Sequence, residues 1–213
     1  NSFYIEEQGR PGSLMPIEED EHGTYIMNSK DLRSIEYLSD LRDAGTMSFK
    51  LEGRSKSIYY LGLATRAYRK AIDDLTEGKP FDPYLMTELS KTSNRGFTSA
   101  FLENRNNAET ERFDSSQETN LPMIYAGAVK GEVSDGWMEV DVKNRIEVGD
   151  ELEYVSPHRQ YRFTLDAMEN PRGLPVSLAH GGNGVVRIKT NEPIEPFALL
   201  SLAQKTKVIK PAS

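Results

Sequence analysis

The stretch Phe49-Lys50-Leu51-Glu52-Gly53-Arg54-Ser55-Lys56-Ser57 alternates apolar and charged residues, then breaks at a glycine just ahead of a helix-forming run. Read as a strand over residues 47–52, it puts Lys50 and Glu52 on one face and Phe49 and Leu51 on the other. Charges at the C-terminal end of a strand that feeds a helix occupy the position where parallel α/β sheets and (β/α) barrels place their sites. Upstream, Gly23-Thr24-Tyr25-Ile26-Met27-Asn28 is β-prone, and either Asn28 or Ser29 suits a helix N-cap with Asp31 in the first turn. Leu32, Ile35, Leu38 and Leu41 then form an apolar stripe that stops at Gly45. Downstream, Ser57 is a second cap, and Leu61, Ala64, Tyr68, Ala71, Ile72 and Leu75 form the inward face of a helix ending at Gly78-Lys79-Pro80. Strand, helix, strand, helix with short connections predicts parallel βα units. Two strands alone cannot be covered on both faces, so these are expected to be the last units of a larger (β/α) barrel-type domain.

The flanking segments read differently. Residues 1 to about 23 carry the breakers Gly9, Pro11, Gly12 and Pro16 and the run Glu18-Glu19-Asp20-Glu21-His22, which predicts a solvated loop. Residues 83–103 read as short helices around a turn at Asn94-Arg95-Gly96, and 104–120 as a polar linker. From Leu121 on, alternating runs at 124–132, 137–142, 151–155, 161–166, 184–189 and 199–203 are separated by Ser134-Asp135-Gly136, Val148-Gly149-Asp150, Asn170-Pro171-Arg172-Gly173 and Gly181-Gly182-Asn183-Gly184. That spacing predicts a six-stranded antiparallel β-barrel. The expected division is 1–80, 81–120 and 121–213: α/β followed by all-β.

With 213 residues, 37% of them hydrophobic, the chain can build two modest cores. Its 26 basic against 33 acidic residues argue against a surface that coats nucleic acid, so DNA is not expected as a partner and any RNA contact must be local. The absence of cysteine removes disulfides, thiolate metal sites and a cysteine nucleophile. Without an apolar run of about 18 residues or a basic-then-apolar leader, no membrane association is expected and the cytoplasm is the expected compartment. A start at Asn1 rather than Met raises the expectation that this is part of a longer protein.

Lys50, Glu52 and Arg54 are the first candidate site. A carboxylate between two cations stays ionised and can hold a polar substrate or orient a water, and Arg54 can clamp a carboxylate or phosphate bidentately. The same residues also suit a structural ion-pair network. Lys143 and Arg145, before the Val148-Gly149-Asp150 turn, can present cations to RNA phosphates or be ordinary hairpin charges. His22, His158 and His180 lack the spacing of metal ligands, and Gly181-Gly182-Asn183-Gly184 suits a hairpin better than a phosphate cradle. G-x-S-x-G and H-E-x-x-H motifs are absent.

The run from Arg10-Pro11-Gly12 through Met15-Pro16-Ile17-Glu18-Glu19-Asp20-Glu21-His22-Gly23-Thr24-Tyr25-Ile26-Met27-Asn28-Ser29-Lys30-Asp31-Leu32, then Phe49-Lys50-Leu51-Glu52-Gly53-Arg54, resembles the collagenase-like peptidase family U32. Asn94-Arg95-Gly96-Phe97 and Lys143-Asn144-Arg145 with Val148-Gly149-Asp150 also match, and the resemblance spans roughly residues 9–203. It is nearest to the subfamily that hydroxylates the wobble uridine of tRNA to 5-hydroxyuridine with prephenate as auxiliary substrate. It implies a (β/α) barrel-type catalytic domain followed by a β-barrel like the second domain of translation GTPases. It also implies an iron-sulfur cluster held by cysteines that this chain lacks, so no cofactor is expected on the chain itself. By that match the chain is the C-terminal part of such a protein and is not expected to be active alone. Lys50, Glu52 and Arg54 would line the site, with Asn28 and Lys30 binding substrate beside them and Lys143 and Arg145 contacting tRNA. The family name implies proteolysis as the alternative, and a non-catalytic RNA- or protein-binding module is the third reading.

Overall fold

A computed structural model describes residues 3–6, 8–9, 11–12, 14–20, 23–26, 30–54, 56–92, 94, 96–100, 102, 123–182 and 184–203. The polar linker expected at 104–120 lies outside them. The chain divides into two compact units, one of residues 1–51 and 68–119 and the other of residues 52–67 and 120–213.

Unit one opens with an antiparallel meander, β1 (Phe3–Glu6), β2 (Leu14–Asp20) and β3 (Gly23–Ile26). The loop expected there is thus corrected. Pro16 had read as a breaker, yet it lies within β2, opposite Tyr4 of β1. The next strand, β4 (Asp31–Leu32), pairs in parallel with β5 (Phe97–Thr98) through Asp31 N–H to Gly96 O at 3.0 Å and Arg33 N–H to Thr98 O at 2.9 Å.

The helix expected from Asn28 or Ser29 starts later. A 3-10 turn, Ile35–Tyr37, leads into α1 (Leu38–Asp43), which ends as expected at Gly45, at φ +92°. Residues 46–53 form no strand, and with β1–β3 antiparallel the parallel βα pattern is corrected. The alternation at Phe49-Lys50-Leu51-Glu52 satisfies the local requirement of a strand. A strand also needs a neighbour to bond its backbone, and none pairs there among the described residues. After α3 (Tyr84–Ser90), the residues expected to be helical at 97–102 instead form β5 and a turn with Ala100 at φ +49°. Ile35, Leu38, Tyr68, Ala71, Leu85 and Leu89 are buried in this unit, and the Ser34 N–H donates to the Tyr68 hydroxyl at 2.9 Å.

Helix α2 (Ile58–Thr76) begins where Ser57 Oγ accepts the Tyr60 N–H at 3.1 Å, the cap read from the sequence. Its first half belongs to unit two and its second half to unit one.

Unit two is a seven-stranded antiparallel sheet in the order β10-β9-β14-β6-β7-β13-β11. Its strands are β6 (Met123–Ser134), β7 (Trp137–Val142), β9 (Glu151–Val155), β10 (Gln160–Thr164), β11 (Met168–Glu169), β13 (Val185–Lys189) and β14 (Leu199–Ala203); β8 (Ile146–Glu147) and β12 (Leu178–Ala179) make a separate ribbon. All six expected strands are present. The short β11 adds a seventh to the sheet, and β10 and β11 each have one partner in it. The β6–β7 hairpin turns on Asp135 (φ +47°) and Gly136 (φ +77°), the two consecutive left-handed residues that a two-residue loop requires. Met138, Val140, Val142, Leu152, Tyr154, Ile188 and Leu200 point to one core, following the period-two alternation. On α2, Tyr59 and Leu63 pack with Val155 and Leu199, backed by Tyr125 and Ala128. Gly62 permits that approach, since a Cβ there would lie 2.6 Å from Leu199 Cδ1.

Candidate nucleic-acid interface

The charged side chains singled out in the sequence lie at the surface. Lys50 and Glu52 are exposed in the extended segment 46–53, and Arg54 is exposed in the turn before α2. Because that segment is not a strand, the alternation that put Lys50 and Glu52 on one face does not hold. Asn28 lies outside the described residues. Lys30 is half-buried, and its side-chain carbons run past Gly96, where a Cβ would be 3.9 Å from Lys30 Cδ. The β4–β5 bridge therefore joins two sequence-distant pieces of the family pattern, Lys30-Asp31 and Asn94–Phe97.

That junction is organised by hydrogen bonds. Asn94 Nδ2 donates to Thr92 O at 2.9 Å and Asn94 Oδ1 accepts the Gly96 N–H at 3.0 Å, fixing the turn in which Gly96 takes φ +80°. The Arg33 guanidinium lies 5.0 Å from the Phe97 ring centroid and pairs with Glu36 at 2.8 Å. Asn94 and Phe97 thus have evident structural duties here.

In unit two, Lys143 and Arg145 are exposed in the β7–β8 connection. Lys143 Nζ lies 3.0 Å from Asp141 Oδ2, and Lys130 Nζ approaches the same oxygen at 3.5 Å. Lys143, and then Lys130, hold the Asp141 carboxyl below its ordinary range. Two cations share one carboxylate, so this cluster keeps a positive excess. Arg145 pairs with Glu147 at 2.6 Å, both about half exposed. Exposed pairs of this kind are worth about 0–1 kcal/mol, so a phosphate can take either cation at little cost. Lys130 was not read from the sequence. It lies at the register shift of β6 between Val129 and Gly131, and the pairing of β6 with β7 that brings it to Asp141 is not revealed by sequence alone.

A further polar cluster surrounds Glu195. Its N–H donates to the Tyr154 hydroxyl at 2.6 Å, its carboxylate accepts from Ser156 Oγ and, at 3.0 Å, from Arg159 Nε. Burial raises the Tyr154 hydroxyl's pKa and pushes that of the stacked Tyr161, 4.5 Å away centroid to centroid, up to about 12. Ser156 first, and Arg159 and the His158 backbone with it, lower the Glu195 carboxyl from 4.5. A carboxylate lowered in the folded state stabilises it above the ordinary carboxylate range and loses that contribution as pH falls through the lowered value. The melting temperature of the parent should thus fall more steeply below about pH 4.5 than that of Glu195→Gln. Parallel pH profiles between pH 7 and 3 would show that the carboxylate contributes nothing.

Among the described residues no group of three or more His, Cys, Asp or Glu side chains is placed to hold a metal ion, and no helix is long and apolar enough to cross a membrane.

Residues 2–112 match the model of peptidase family U32, and residues 122–201 match the family's C-terminal domain. The chain belongs to peptidase family U32. Among curated relatives, tRNA hydroxylation protein P of Escherichia coli is 41% identical over 93% of this chain and 44% of the relative. The protein of the same name from Haemophilus influenzae is 36% identical over the same shares. A protein named collagenase from Porphyromonas gingivalis is 30% identical over 66% of this chain and 35% of its own length. The chain thus spans less than half the length of these relatives. A crystal structure of the C-terminal domain of a Geobacillus thermoleovorans protein described as a U32 peptidase aligns over 38% of this chain and 92% of that domain, with TM-score 0.36 and 22% identity.

Proposed function

We propose that this chain serves a tRNA-modifying protein that hydroxylates the wobble uridine to 5-hydroxyuridine, with prephenate as auxiliary substrate, and that unit two helps to dock the tRNA. The observation that carries this reading is the 41% identity to tRNA hydroxylation protein P over 93% of the chain. The shared-carboxylate cluster of Lys130, Lys143 and Asp141, with Arg145 nearby in sequence, supplies the local cations that RNA docking needs on a chain of net charge -7. In the same reading the sheet of unit two is a barrel of the translation-factor type.

The residues present do not fit an iron-sulfur cluster, because the chain has no cysteine. Such a cluster would be held by cysteines outside these 213 residues. The work left to this chain is binding and orientation, with Lys30, Lys50, Glu52 and Arg54 as the polar side chains that would hold substrate.

Nucleoside mass spectrometry of tRNA from cells lacking the gene tests the reading. Loss of 5-hydroxyuridine derivatives is expected, and unchanged levels would remove it. Cleavage of collagen or gelatin by the intact protein would instead support the peptidase alternative that the Porphyromonas relative's name raises. Within the intact protein, Glu52→Ala should lower tRNA hydroxylation at least tenfold. Its exposed position makes the stability change less than about 0.5 kcal/mol. A large fall in melting temperature with activity retained would make Glu52 a structural residue.

A further inference from the structure

Phe197 is 86% exposed and holds φ +62°, a combination that both burial and backbone preference disfavour. For a bulky residue the left-handed conformation persists only where the surroundings enforce it. They do so here on both sides. Two residues before, the Glu195 N–H is bonded to Tyr154 and the Glu195 carboxylate to Ser156 and Arg159. Immediately after, Ala198 is fully buried and its carbonyl accepts the Val129 N–H at 2.9 Å. Ile194 packs on the core, and Pro196 fixes its own φ. The chain thus clamps a short turn whose tip is an aromatic ring pointing away from the core.

The clamp itself holds polar side chains. Arg159 pairs with Glu195 through Nε, and its side chain is half exposed. His158 is exposed, and its backbone N–H reaches the same carboxylate. An exposed, rigidly presented aromatic is the kind of group on which an unpaired base stacks, and polar side chains held by the same clamp can meet the nucleic-acid backbone.

Resting on the tRNA reading above, we infer that Phe197 is a stacking platform for an unpaired tRNA base, with Arg159 and His158 of the same clamp as the polar side chains offered to the tRNA backbone. A base needs only the face of the ring, so the contact tolerates different bases and adds affinity rather than sequence choice. The turn requires no reorganisation on binding, because it is already held.

The test measures binding of this chain to unmodified tRNA across a salt series, for the parent and for Phe197→Ala, Phe197→Tyr and Phe197→Gly. Phe197→Ala and Phe197→Gly should weaken binding about tenfold at fixed salt, as loss of one stacked base does. Phe197→Tyr should stay within about twofold, since it keeps the ring face. The melting temperature should hold in all three and rise in Phe197→Gly, where the left-handed conformation costs nothing. Equal binding by parent and Phe197→Ala, while the parent's affinity still falls with salt, overturns the stacking role and leaves the tRNA reading standing. Equal loss in Phe197→Tyr, or a lowered melting temperature in Phe197→Gly, also overturns it. If the parent shows no salt-dependent tRNA binding, the tRNA reading fails and this assignment with it.

Discussion

Lys91→Met is expected to destabilise unit one by up to about 3–5 kcal/mol, the usual cost of removing one member of a buried ion pair. Lys91 Nζ lies 2.6 Å from Glu88 Oε1, with only 9% and 2% of the two side chains exposed. Methionine cannot offer the ammonium's charge, so the Glu88 carboxylate stays buried with weaker compensation. Exposed pairs such as Arg42–Asp43 in the same unit are worth about 0–1 kcal/mol by comparison. The pair is also fixed from outside, since the Lys91 ammonium sits 5.9 Å from the Tyr84 ring centroid and burial, followed by Glu88, raises the Tyr84 hydroxyl's pKa. Adding Glu88→Gln to Lys91→Met removes the buried charge and should recover a large part of the loss. Urea unfolding followed by the helical circular dichroism signal measures both variants. A single variant within about 0.5 kcal/mol of the parent would show that other groups, or water, carry the Glu88 charge.

Leu200→Ala should cost unit two about 2–5 kcal/mol. Leu200 is fully buried in β14, the strand between β9 and β6, and lies opposite Tyr154 on one side and Gly127 on the other. The register shift between Leu200 and Ser201 ties its position to the strand's local bend, so the backbone has little room to close over the cavity. Trp137, the single tryptophan of the chain, sits in β7 of the same sheet, and its fluorescence reports this unit's unfolding. The midpoint in urea should fall with an unchanged slope. A loss under about 1 kcal/mol would mean that the site collapses freely.

The C-terminal unit was legible in the sequence because its information is local. Trp137–Val142 alternates in burial residue by residue, and Asp135-Gly136 supplies the two left-handed conformations that reverse the chain. Residues 47–52 carry the same alternation without becoming a strand, since pairing depends on a neighbour that no local pattern encodes. The meander at the N-terminus was hidden by the opposite effect, as Pro16 and Glu18-Glu19-Asp20 lie within β2, where pairing with β1 and β3 outweighs their local preference. The inward face of α2 was half legible. Ala64, Tyr68 and Ala71 are buried as expected, but Tyr59 and Leu63 replace Leu61 because the first half of the helix packs on the sheet of unit two. Of the site, exposed cations at Lys143 and Arg145 were readable, while the sharing of Asp141 with Lys130 depends on the pairing of β6 with β7. The clamp around Phe197 joins Tyr154, Ser156 and Arg159 to residues some forty positions on, a pairing no motif announces.

Leu63 of α2 packs against Leu199, and Arg66 Nη1 donates to Gln160 Oε1 at 3.0 Å, so the first half of this helix finds its partners far later in the chain. During translation, at roughly 5–20 residues per second, the ribosome needs on the order of ten seconds to make what lies between. The nascent helix spends that interval with Tyr59 and Leu63 uncovered, open to chaperones and to neighbouring chains. Synthesis speed across residues 68–199, as well as the sequence itself, is therefore a determinant of how much of this protein reaches its native state.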